Sequence, residues 1–132
     1  MTGSSKSLSP ELRAFLFSCI DSLEQVELLV ALARTEASRT TREIGAELGL
    51  SESSARVHLE TLKARGLLAV KVADELAYRY QPKTTELARY TEQLLQHYDT
   101  SRLDVLTYVS TRSRTALKQF SDAFKLRDEE QE

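Results

Sequence analysis

Between Arg42 and Arg79 the chain carries side chains suited to grip a phosphate backbone and read base edges: Arg42, Ser53, Ser54, Arg56, Val57, Lys63, Lys71 and Arg79. Guanidinium and ammonium groups pair with phosphate oxygens, serine hydroxyls bond to phosphates or bases, and an apolar side chain such as valine meets a thymine methyl. The other reactive residue types do not assemble. His97 has no Cys, Asp or His three or four residues away, which is poor ligand spacing on a helix. Cys19 is the sole cysteine and lies on an apolar helical stripe, which predicts a plain buried thiol without the cationic surroundings that reactivity needs. No nucleophile–histidine–acid order, phosphate-cradling glycine loop or metal-ligand cluster is present. The sequence therefore predicts neither an enzyme nor a cofactor or metal site.

These candidates must be held by helices and a short ribbon. Ser9, Pro10 and Glu11 read as N-cap, first helical residue and favourable first-turn charge, followed by Leu12, Phe15, Leu16, Cys19 and Ile20 on one face. A second helix is expected from Asp21, with Glu24 completing a capping box, through Val26, Leu29, Val30 and Ala33. Thr40 and Glu43 open a third helix that buries Ile44 and Leu48 and ends at Gly49. Ser51 caps a fourth, Glu52 to Arg65, with Ala55, Leu59 and Leu62 inward and Gly66 at its end. The opposite face then holds Ser53, Val57, Glu60 and Ala64, flanked by Ser54, Arg56 and Thr61. His58 lies near the buried side and is expected half-buried beneath the ribbon.

After Gly66 the period changes from helix to strand: Leu67 to Val72 and Leu76 to Tyr80 form a two-stranded ribbon around Ala73, Asp74 and Glu75. Pro82 ends it. Thr84 or Thr85 caps a fifth helix to about Tyr98, broken at Asp99 to Ser101, and Ser101 with Asp104 opens a last long helix to about Leu126. The expected organisation is an arm at 1–8, a core domain at 9–82, C-terminal helices at 83–127 and an acidic tail at 128–132. Leu103, Leu106, Ser110, Ser113, Leu117, Phe120 and Phe124 recur as a heptad seam. With Leu12, Phe15 and Leu16 of the first helix, the leucines and phenylalanines of that seam are the expected homodimer interface.

Helix, tight glycine turn, helix and β ribbon is the order of a winged helix-turn-helix, mainly α with a small β ribbon, here with added helices at both ends. The run Thr41-Arg42-Glu43-Ile44-Gly45-Ala46-Glu47-Leu48-Gly49-Leu50-Ser51-Glu52-Ser53-Ser54-Ala55-Arg56-Val57-His58-Leu59 resembles the helix-turn-helix of MarR- and ArsR-type regulators. The exit Leu62-Lys63-Ala64-Arg65-Gly66-Leu67-Leu68 matches their passage into the wing, and the resemblance spans about Leu23 to Pro82. It implies a bacterial-type transcriptional regulator that binds double-stranded DNA as a homodimer. Residues 51–65 would enter the major groove, with Ser53, Ser54, Arg56 and Val57 as contacts and Arg42, Lys63, Lys71 and Arg79 on phosphates.

Composition narrows the alternatives. The 132 residues carry 18 Lys and Arg against 20 Asp and Glu, a formal charge of −2, with four of the acids among the last five residues. Four Gly and two Pro argue against an all-β sandwich, and one Cys excludes an internal disulfide, which makes the cytoplasm the expected compartment. The longest apolar stretch, Val26 to Ala33, contains Glu27, so no membrane span is expected. Glu60 on the outward helix face, and Asp74 and Glu75 at the ribbon tip, would repel phosphate. They motivate a second reading, a winged-helix module that binds a protein partner instead of DNA.

Overall fold

The computed structural model describes residues 8–111. The chain begins with helix α1 (Pro10–Cys19), whose Ser9 side chain accepts the Leu12 N–H at 3.0 Å. Pro10 fits the first helical position because its missing N–H is one that no helix partner would meet. Helix α2 (Leu23–Ala33) starts one residue later than the sequence suggests. Its cap is Ser22, not Asp21: the Ser22 hydroxyl accepts the Gln25 N–H at 3.3 Å, and the Gln25 side chain accepts the Asp21 N–H at 2.8 Å. Asp21 is drawn away by an ion pair with Arg65 at 3.0 Å.

A two-residue strand, β1 (Arg39–Thr40), leads straight into α3 (Thr41–Leu48). Thr40 and Glu43 form the expected capping box, and Gly49 stops the helix at φ 75°. Only glycine holds that left-handed backbone without a Cβ clash. Ser51 caps α4 (Glu52–Ala64), and Gly66 at φ 85° turns the chain into β2 (Leu68–Val72). Strand β3 (Leu76–Tyr80) returns antiparallel, with Val70 opposite Tyr78. The ribbon is not two-stranded as expected, because β1 adds to the free edge of β3 and gives the order β1-β3-β2. Two residues are too few to show a strand period, so β1 has no signature of its own.

Thr84, not Thr85, caps α5 (Thr85–Thr100), which runs past the expected break at Asp99. A sixth helix, α6, is present from 102 to the end of the described residues. Its buried stripe is Val105 and Val109, whereas Leu103 of the expected seam points outward and is 76% exposed. Leu106 is half-buried; Leu117, Phe120 and Phe124 lie outside the described residues. The Tyr108 hydroxyl donates to the Arg13 carbonyl at 3.2 Å, so α6 closes over α1.

One core joins these parts. Leu12 and Leu16 of α1, Leu29 and Leu32 of α2, Ile44 of α3, Leu59 and Leu62 of α4, Tyr78 of β3 and Leu94 of α5 are all fully buried in a single cluster. This corrects the reading of Leu12, Phe15 and Leu16 as an interface between copies: they are 0%, 4% and 0% exposed, their apolar surface already covered within one chain. Gly45 permits the crossing of α3 and α4, since a Cβ there would lie 3.0 Å from the Leu50 carbonyl and 3.5 Å from the Ala55 side chain.

Truncating Leu59 to Ala removes a filled core position and should lower unfolding free energy by about 2–5 kcal/mol in urea titration. Val57→Ala on the outward face, 62% exposed, should stay within about 0.5 kcal/mol of the parent. High pH offers a second check on the buried tyrosine. Burial and the facing Glu60 carboxylate push the Tyr78 hydroxyl up from 10.0 to about 12. The folded tyrosine thus keeps its proton where the unfolded one has lost it, and the stability this supplies is complete below pH 10 and lost between 10 and 12. The urea midpoint should fall across that window, and fall less in Tyr78→Phe.

Candidate nucleic-acid interface

Helix α4 buries Ala55, Leu59 and Leu62, which leaves the opposite face to solvent. Ser53, Arg56 and Val57 are exposed on it, and Ser54 is half-buried. Ser51 Oγ accepts the Ser54 N–H at 3.1 Å, so the first turn is capped and its serine side chains stand at the helix mouth. Beside this turn lies a cleft of about 160 Å³ lined by Thr41, Glu52, Arg56, Glu75 and Leu76. It joins the start of α3, the start of α4 and the hairpin tip. Lys71 on β2 and Arg79 on β3 are exposed. Arg56, Lys71 and Arg79 form no ion pair with another of the described residues. Electrostatically, they are the cations available to an outside anion.

The remaining expected cations are engaged. Arg42 bonds Glu75 of the hairpin at 2.6 Å, and Lys63 lies 3.1 Å from Glu60 one turn back along α4. Both pairs are exposed and so are worth little to stability, but they place charge. Glu60 lies on the solvent side of α4, its side chain 41% exposed, but its carboxylate is tethered. Its carboxylate accepts a hydrogen bond from the Tyr78 hydroxyl and faces Lys63. Those two hydrogen bonds hold its carboxyl below the usual range, Tyr78 first and Lys63 second. Of the three acids expected to oppose a phosphate backbone, Glu60 and Glu75 are thus each held by a partner inside the protein, whereas Asp74 at the hairpin tip is exposed and forms no ion pair with another described residue.

His58 is half-buried as expected, but its partner is on α2, not under the ribbon. Its Nδ1 lies 3.1 Å from the Gln25 side-chain nitrogen. Because the Gln25 oxygen accepts from the Asp21 N–H, the amide nitrogen is the donor and Nδ1 must accept. Next to it, Arg65 at the end of α4 donates to the Cys19 carbonyl at 2.8 Å and to Asp21 at 3.0 Å. Gln25–His58 and Arg65 together bind the middle and the C-terminal end of α4 to the α1–α2 corner.

The remaining candidates stay apart from this face. Cys19 is half-buried and lines a groove of about 430 Å³ with Phe15, Leu87 and Tyr90. Burial raises its thiol above the ordinary value, outweighing the attraction of Arg65. His97 Nδ1 is buried without a hydrogen-bond partner among the described residues. Among those residues no cluster of three His, Cys, Asp or Glu could hold a metal, and no helix is long and apolar enough to cross a membrane. Sequence reasoning missed the Tyr78–Glu60 and Arg42–Glu75 contacts. Each joins an α helix to the ribbon across 18 and 33 residues, a separation that leaves no local spacing signal.

Comparison with known proteins bears on the same segment. Residues 24–70 match the family described as bacterial regulatory protein, arsR family. No curated protein matches the chain in sequence. Among solved structures, a MarR-family transcriptional regulator from Rhodococcus sp. RHA1 is 18% identical with a TM-score of 0.54, the match covering 91% of this chain and 83% of that one. A homodimeric winged helix-turn-helix DNA-binding domain of a possible ArsR-family regulator from Mycobacterium bovis is 17% identical with a TM-score of 0.51, covering 76% and 93%. Reduced HlyU from Vibrio cholerae N16961 is 18% identical with a TM-score of 0.52, covering 68% and 88%. At these identities the structures speak to the fold, while the family match falls on α2 to β2, the elements that build the exposed face of α4. The chain carries a winged helix-turn-helix, within which residues 24–70 are similar to the arsR family of bacterial regulatory proteins.

Proposed function

We propose that this protein is a DNA-binding transcriptional regulator whose helix α4 enters the major groove. The observation that carries the reading is the charge arrangement around that helix. Ser53, Arg56 and Val57 face outward, whereas Glu60 and Glu75 are turned onto Tyr78, Lys63 and Arg42. Arg56 and the serines, Ser54 included, serve as base or phosphate donors, and Val57 offers an apolar contact for a thymine methyl. Lys71 and Arg79 of the wing lie beside the duplex on phosphates. Arg42 and Lys63 approach phosphates while keeping Glu75 and Glu60 as partners, so their part in binding is secondary to that of Arg56, Lys71 and Arg79.

The acting species in this reading is a homodimer, supported by the homodimeric domain from Mycobacterium bovis. Two copies would set their α4 helices about 34 Å apart, one duplex turn. Since Leu12, Phe15 and Leu16 are spent in the core, the contact is assigned to the C-terminal segment, 83–127. Leu103 and Leu106 begin the seam, with Leu117, Phe120 and Phe124 further along the sequence. The cytoplasm is the compartment this function requires.

Fluorescence anisotropy with random-sequence duplex tests the central claim. Binding should weaken on the order of a thousandfold between about 50 and 200 mM salt if two protomers neutralise six phosphates in all. Arg56→Ala should cut affinity for a selected operator by roughly tenfold, within the range for a base-reading arginine, with an unchanged melting temperature. Absence of DNA binding at low salt, also after deletion of residues 128–132, would instead mark the winged helix as a protein-binding module. Leu103→Glu should shift the sedimenting species from dimer towards monomer, and a monomeric parent protein would refute the assembly.

A further inference from the structure

We propose that Tyr78 is a positioning residue for DNA recognition: its hydroxyl holds the Glu60 carboxylate towards β3, off the side chains offered to the duplex. The role rests on the DNA-binding reading above. Tyr78 itself cannot touch DNA, because its side chain is fully buried in the core. It sits on β3, the central strand, paired through Val70 on one side and Arg39 on the other. Its hydroxyl is therefore held by the sheet and the core together, a fixed donor aimed at one carboxylate of the neighbouring helix.

Glu60 needs such a donor because of where it is. It follows Val57 by three positions, so a freely rotating carboxylate would stand beside the side chains offered to the groove. Its carboxyl is held below the usual range and keeps its charge near neutral pH, so it must be placed rather than neutralised by a proton. Lys63 provides the second contact at 3.1 Å. On its own that exposed i,i+3 pair would hold the carboxylate weakly. Arg56 also acts electrostatically on both Glu60 and Tyr78, so an untethered carboxylate would compete with phosphate for the main base-reading cation.

A double-mutant cycle on the full chain reads this directly, with affinity for random-sequence duplex measured by anisotropy at low salt. Tyr78→Phe removes no charge and no DNA contact, yet should weaken binding roughly threefold, the scale of an exposed charge interaction. Glu60→Gln should have less than about a twofold effect in the parent, whose carboxylate is already withdrawn, and should restore affinity in the Tyr78→Phe background. A hydroxyl that only stabilised the fold would lower the melting temperature and leave the two substitutions additive in binding. Additivity, or unchanged affinity in Tyr78→Phe, overturns the proposal.

Should Tyr78→Phe fail to fold, Glu60→Gln compared with Glu52→Gln in the parent decides the matter. Glu52 is an exposed acid in the first turn of the same helix, and removing it should strengthen binding more than removing Glu60. Equal gains from both overturn the proposal. Failure of the parent protein to bind DNA at all overturns the DNA reading and this role with it, whereas binding with uncoupled variants overturns the role alone.

Discussion

Burial of a three-residue stripe on α4 is the constraint from which the rest of this architecture follows. Ala55, Leu59 and Leu62 must leave water, and they do so against α2, α3 and the sheet. Each is fully buried, so the helix cannot rotate about its axis without opening a cavity. That one choice decides which side chains stand outside. It also decides what the neighbours must be: Gly45 where α3 crosses, Gly49 where the chain turns, and a flat sheet side where Tyr78 can enter the core. The terminal helices then cover what remains, α1 and α5 meeting through the tilted Phe15–Tyr90 ring pair at 5.7 Å.

Charge is organised on top of this packing rather than by it. The described surface holds several acid–base pairs that bridge elements: Arg65 with Asp21, Arg42 with Glu75, Arg39 with Glu47 and Arg34 with Asp99. None is deeply buried, so they contribute little to folding free energy. Their consequence is local. Around α4, Arg56, Lys71 and Arg79 form no ion pair with another described residue, Glu60 and Glu75 are held by partners, and Glu52 and Asp74 stay exposed without an ion pair among those residues. Net charge alone therefore misstates what an approaching polyanion would meet, since interactions beyond a Debye length of about 8–10 Å are screened.

The helices and their ends were legible in the sequence because capping is local chemistry. Ser9, Thr40 and Ser51 bond N–H groups three residues on, and Gly49 and Gly66 adopt left-handed backbone, just as their types and spacing indicate. The inward stripe of α4 was legible for the same reason, as a 3.6-residue period. Asp21 and Ser22 offer equal caps one residue apart, and Ser22 prevails where Gln25 accepts the Asp21 N–H and Arg65 pairs with the Asp21 carboxylate. The tether on the Glu60 carboxylate was not legible, because a helical wheel knows nothing of a tyrosine on a strand 18 residues away. The first helix misled in another way. An apolar stripe reports that a face is covered, not by which chain, and Leu12 and Leu16 are covered by their own.

Thr40 belongs to two hydrogen-bonded systems at once. It pairs with Ala77 as the last residue of β1, and its side chain and backbone close the capping box of α3. No linker separates the sheet from the α3–α4 pair at this point, so the two form one stiff lever rather than two jointed parts. A body of that kind meets its target already shaped. In the proposed DNA complex it would forfeit little chain entropy on docking and would discriminate by whether the duplex's own curvature fits.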